Sequence, residues 1–155
     1  MHLVDLDKML PTAAAQSVEA RLAGFEHTSG IKILVQFHAK PPVADEDKVP
    51  GAYMHALAAQ LGVDLRGVLV VYFTDDPDWR VWIGDELTSR FAGKPGTVKE
   101  LTDSGAIHAV KETMLAAAQQ QADASFQNST TPTPAQRLSR HIGALVDSLT
   151  GRLKP

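Results

Sequence analysis

Residues 66–87, RGVLVVYFTDDPDWRVWIGDEL, narrow the possible folds more than any other stretch of the chain. Val68 to Phe73 is an unbroken apolar run, the pattern of a strand covered on both faces. Asp75-Asp76-Pro77-Asp78 is turn chemistry, because Asp side chains bond nearby backbone groups and Pro presets φ. Trp79 to Ile83 alternates enough to be the returning strand of a hairpin, and Gly84-Asp85-Glu86 ends it with carboxylates at the rim of a sheet.

The remaining segments supply the layers. Pro11 to Gly24 reads as a helix with Val18, Leu22 and Phe25 on one face, broken at Thr28-Ser29-Gly30. Ile31 to Phe37 reads as a strand, Lys40 to Gly51 as an exposed proline-bearing connection, and Tyr53 to Leu61 as a helix stopped by Gly62. A short helix is expected over Glu86 to Phe91. A longer helical region runs from Val98 to Phe126, divided near Asp103-Ser104-Gly105, with Asp103 or Ser104 as cap and Ile107, Val110, Met114 and Ala118 along one face. The polar, proline-bearing QNSTTPTP (127–134) reads as a linker. Beyond it Leu138, Ile142, Leu145 and Leu149 form an amphipathic helix (135–155) that packs back on the domain or on a partner. The element order predicts an α/β fold over residues 1–126, layered around a small mixed sheet, with an extra C-terminal helix.

A chain of 155 residues fits one domain. The net charge of −3, with Lys and Arg scattered, offers no basic field and argues against nucleic-acid binding. Without cysteine there is neither a disulfide nor a thiolate metal site. No run approaches the roughly 18 apolar residues of a membrane span, although a tether could lie outside the chain.

Familiar catalytic arrangements are missing from the sequence: no phosphate-binding glycine loop, no histidine pair at zinc spacing, no Gly-x-Ser-x-Gly elbow. His108 and Glu112, four apart on a helix, read as a solvated pair. Asp5-Leu6-Asp7 resembles an aspartyl-nucleophile motif superficially, but Met9 stands where a Thr or Val is wanted, and a cap or ligand role suits Asp5 better. Trp79 and Trp82 fall on opposite faces of one strand and predict packing rather than a stacking platform. Tyr53 and Met54 likewise read as helix-face packing. The acidic set is the richest constellation. Asp5, Asp76 and Glu86, with Asp7, Asp75, Asp78 and Asp85 as further candidates, are the oxygen ligands that Ca²⁺ or Mg²⁺ prefers. The competing reading is structural: acids in turns cap helices and keep hairpins soluble.

Val4-Asp5 followed by Leu10, Thr28-Ser29-Gly30-Ile31 before LVQF, Arg66-Gly67-Val68-Leu69-Val70-Val71, and Asp76, Arg80, Ile83, Gly84 and Glu86-Leu87 together resemble the ordered motifs of the TPM domain family. The likeness spans roughly residues 3 to 126 and is that of a divergent member: Arg66 replaces the usual Asn, and Gly84-Asp85-Glu86-Leu87 replaces Gly-x-Gly-Leu-Glu. It implies a three-layer α/β/α sandwich and an extracytoplasmic setting. It also implies either a partner-binding role, with a divalent cation at Asp5, Asp76 and Glu86, or a weak metal-assisted acid phosphatase. In the phosphatase case, Lys94 or Arg80 would balance phosphate charge. The expectation taken forward is a non-catalytic module for an unidentified protein partner, with phosphomonoester hydrolysis as the alternative.

Overall fold

The structure, a computed structural model, describes residues 1–43, 48–49, 51–126 and 131–154. Four strands form one mixed sheet in the order β1 (Leu3–Val4), β2 (Lys32–His38), β3 (Gly67–Phe73), β4 (Asp78–Ile83). The first three are parallel, and β4 returns antiparallel to β3 with Val70 opposite Val81. The helices are α1 (Thr12–Ser29), α2 (Ala52–Gln60), α3 (Thr88–Ala92), α4 (Val98–Asp103), α5 (Ala106–Ala124) and α6 (Pro134–Leu153), with a 3-10 turn over Asp85–Leu87.

The sheet sorts its side chains by strict alternation. Ile33, Val35, Val68, Val70, Val81 and Ile83 face α1 and α3–α6; Leu34, Leu69, Val71 and Phe73 face α2. β3 is buried on both faces, as its apolar run predicts, and the three-layer α/β/α arrangement is present. Trp79 and Trp82 divide between the two faces. Trp79 lies beside His141 of α6, and Trp82 stacks on His55 of α2 while its N–H donates to the Asp64 carbonyl at 3.1 Å. Because α1 and α2 cover opposite faces, the successive crossovers β1–α1–β2 and β2–α2–β3 have opposite hands. One of them departs from the usual right-handed rule.

Helix α6 packs back on the domain. Leu138, Ile142, Leu145 and Leu149 are all buried in the same core as the sheet, joined by Val146 and Leu153. Its start is set by a capping box: the Thr133 hydroxyl accepts from Gln136 N–H, and Gln136 reaches back to the Thr133 N–H. Half of the expected linker, residues 127–130, lies outside the described residues, as do residues 44–47 and Pro50 of the connection before α2.

Two expected boundaries are corrected. α1 does not stop at Gly24 but runs to Ser29, where Gly30 adopts a left-handed conformation (φ 75°) and donates its N–H to the Glu26 carbonyl. Between α4 and α5, neither Asp103 nor Ser104 caps the second helix. Gly105 (φ 78°) precedes it with no side-chain cap, because the tight bend demands a left-handed residue there. The two-residue β1, which the sequence did not signal as a strand, is latched to α1. The His2 backbone N–H donates to Glu19, and its two ring nitrogens lie 2.8 Å from Glu19 Oε2 and 2.6 Å from Glu26 Oε1.

Candidate functional site

The acidic candidates stand at separate places. Asp5 follows β1, and its carboxylate accepts the backbone N–H groups of Met9 and Leu10 at 2.8 and 2.9 Å. This is the cap role, pinning the turn in which Lys8 takes φ 51° before α1 begins. Asp7 is exposed in the same turn. Asp75 and Asp76 occupy the β3–β4 turn; Asp78 opens β4 and pairs with Arg80 at 3.5 Å. Asp85 and Glu86 lie past the other end of β4. There, Asp85 and Glu86 N–H donate to the carbonyls of Asp64 and Leu65, and the Glu86 carboxylate meets Arg66 at 3.3 Å on the surface.

Strand β4, six residues long, puts roughly 17 Å of strand between Asp76 and Glu86. Asp5 sits on the far edge strand, three strand spacings or about 14 Å from β4. One cation reaches its oxygens at about 2.3–2.6 Å. The structure therefore does not bring Asp5, Asp76 and Glu86 together, and among the described residues no group of three or more His, Asp or Glu is placed to hold a metal ion. His108 and Glu112 form an exposed pair at 3.8 Å, as their spacing suggests.

The geometry instead draws attention to the open side of β4. In an antiparallel pair, hydrogen-bonded and non-bonded positions alternate. Gly84 N–H donates to the Gly67 carbonyl at 2.8 Å, so the bonded positions of β4 are Trp82, Arg80 and Asp78. Trp79, Val81 and Ile83 therefore direct their N–H and C=O groups away from β3. β4 ends the sheet, and among the described residues no other element bonds to those groups. They open into a groove of about 430 Å³ that runs along residues 79–83 between the start of α2 (Gly51, Met54) and a wall from α4 and α5 (Thr102, Ile107, Lys111). Lys111 is half-buried in that wall, and burial pulls its pKa below the usual lysine value.

A second crevice, about 280 Å³, lies between the β3–β4 hairpin and the α5–α6 pair. Its floor includes Tyr72, Trp79 and His141; Asp123 and Arg137 stand at its rim. His141 is 8% exposed, and its Nε2 has no hydrogen-bond partner among the described residues. Burial depresses its pKa, while the nearby Asp123 charge opposes the shift. Burial likewise raises the Tyr72 hydroxyl and lowers His38.

No family model matches the sequence, and no curated protein matches it either.

The sequence carries a signal for both Lys111 and His141 in the spacing of their helices. Lys111 lies four residues after Ile107 and three before Met114; His141 lies three after Leu138 and four before Leu145. Those spacings place a polar residue on the buried flank of an amphipathic helix. The open groups of Trp79, Val81 and Ile83 depend on sheet order and register, which no local pattern encodes.

Proposed function

We propose that this chain is a TPM-like partner-binding module that takes an extended segment of another protein onto β4 as a further strand. The observation supporting this reading is the row of outward N–H and C=O groups at Trp79, Val81 and Ile83, set in a groove walled on both sides. Strand addition of this kind draws affinity from main-chain hydrogen bonds and selectivity from pockets for alternate side chains. Six backbone groups forming bonds of about 0.5–1.5 kcal/mol each only offset the several kcal/mol that association costs. The groove walls must then supply what makes the complex persist. A divalent cation has no part in this reading, because its candidate ligands stand apart.

The test uses a short blocked peptide of alternating Thr and Val, followed by amide NMR. Saturable shifts and slowed hydrogen exchange at Trp79, Val81 and Ile83 are expected. Val81→Pro removes one outward donor while sparing the β3 ladder, and should abolish those shifts in a protein that still folds. Peptide-induced shifts elsewhere that survive Val81→Pro would sink the reading.

A further inference from the structure

We infer that the segment taken up by β4 carries a carboxylate that pairs with Lys111, so that the preferred partner is an acidic extended peptide. This inference rests on the strand-addition reading above and specifies its partner. Lys111 projects from α5 into the groove wall, on the side of the sheet that Val81 and Ile83 face. It is half-buried, and among the described residues no carboxylate lies within ion-pair distance of it. The neighbouring charges are otherwise engaged or displaced. Glu112 lines the groove as well, but its carboxylate is largely exposed and lies 3.8 Å from His108. Asp85 lines the same groove near the end of β4 but lies beyond ion-pair reach of Lys111.

A desolvated ammonium without a counter-charge is costly, and burial depresses its pKa for that reason. A ligand carboxylate reverses the cost and holds the ammonium charged. Side chains of an added strand alternate between the two walls. The acid therefore belongs at an α5-facing position, and its immediate neighbours face Met54 and Trp82 on the α2 side, where apolar residues fit. Asp85 repels a second acid placed beyond Ile83, which favours a single well-placed carboxylate over an acidic run.

The experiment compares two blocked peptides that differ at one central position, Asp in one and Asn in the other, within the same alternating Thr/Val strand. Affinities are read from the amide shifts of Trp79, Val81 and Ile83. The Asp peptide should bind about fivefold tighter, the upper end for one partly exposed ion pair, and the gap should narrow as salt is added. In Lys111→Met and in Lys111→Gln, which keeps the site polar, the gap between the two peptides should vanish, whatever either change does to the affinity of the Asn peptide. Equal affinity of the two peptides for the wild type overturns the carboxylate inference and leaves strand addition standing. A gap that persists in both variants also overturns it, since the acid is then read elsewhere. If neither peptide shifts those amides, strand addition and the inference built on it both fall.

Discussion

Gly84 has almost no tolerance for a side chain. A Cβ there would stand 2.5 Å from the Leu65 carbonyl oxygen and 2.7 Å from that of Gly67, and both are backbone atoms that cannot swing aside. Its own φ of −54° is ordinary, so the requirement is for close approach, not for backbone freedom. Gly84→Ala should destabilise by about 2–3 kcal/mol through overpacking, read as a lower urea midpoint. Gly143 provides the contrast. It lies inside α6, and its Cβ would meet only Arg21 Nη1 at 4.0 Å. Gly143→Ala should stabilise by up to about 1 kcal/mol from helix propensity. Asp5 decides a different question. Its carboxylate accepts two backbone N–H groups, so Asp5→Ala should cost about 1–2 kcal/mol whether or not Ca²⁺ or Mg²⁺ is present. A wild-type melting temperature that rises with either cation, and ceases to rise in Asp5→Ala, would restore the ligand reading.

Among the elements, α6 carries the most consequence. It buries Leu138, Ile142, Leu145, Val146, Leu149 and Leu153, and side chains of this size are worth about 1.5–3 kcal/mol each on full burial. Before the entropy of ordering the helix is subtracted, their sum is of the same order as the 5–15 kcal/mol of net stability that holds a typical domain folded. A chain cut before Pro134 should lose its cooperative thermal transition, whereas an independent appendage would leave it intact. The same helix imposes a pH dependence. His141 is held neutral by burial against Trp79 and Tyr72, with Asp123 facing it from α5 and Arg137 beside it on α6. A depressed folded pKa means that the unfolded state takes up the proton first as pH falls. The contribution is therefore complete above about 6.5 and is lost as pH drops below it. Urea midpoints should fall from pH 7 toward pH 5. His141→Leu should flatten part of that slope and raise stability at pH 7, since an unpartnered buried nitrogen is removed. The remaining slope belongs partly to His38, which burial shifts in the same direction.

These elements also show where the sequence was legible. The apolar run of β3, the period of α5 and the stripe of α6 are repeated local patterns, each backed by several residues, and each lies where its spacing indicates. Gly24 misled because a lone glycine in a helix costs only about 1 kcal/mol, which the burial of Leu22 and the packing of Phe25 outweigh. The spacing within the acidic set was not legible for a geometric reason. Asp76 and Glu86 are close in sequence, but the strand between them is extended and holds them apart.

At the scale of the whole molecule, the two edges of the sheet are treated differently. Proteins blunt exposed edges by shortening them, charging them or covering them. β1 is two residues long, and His2 ties it to Glu19 and Glu26 of α1. β4 is six residues long, carries no proline, and turns the backbone groups of Trp79, Val81 and Ile83 outward into a groove. An edge left open over that length invites pairing, so its state in solution decides whether it is available to a partner. Hydrogen exchange read amide by amide on the free protein makes the distinction. Val70 and Val71, in a strand buried on both faces, should exchange slowest. Along β4, Arg80 and Trp82 should be protected by their bonds to β3, while Trp79, Val81 and Ile83 exchange faster in strict alternation. Alternating protection would show an edge that is folded and unoccupied, the state that strand addition requires. Uniform protection along β4 that does not change with protein concentration would mean the chain covers its own edge, and the groove would then be a packing seam with no place for a partner. Protection that grows with concentration would instead show the edge pairing with a second copy, and the acidic peptide would have to displace that copy to bind.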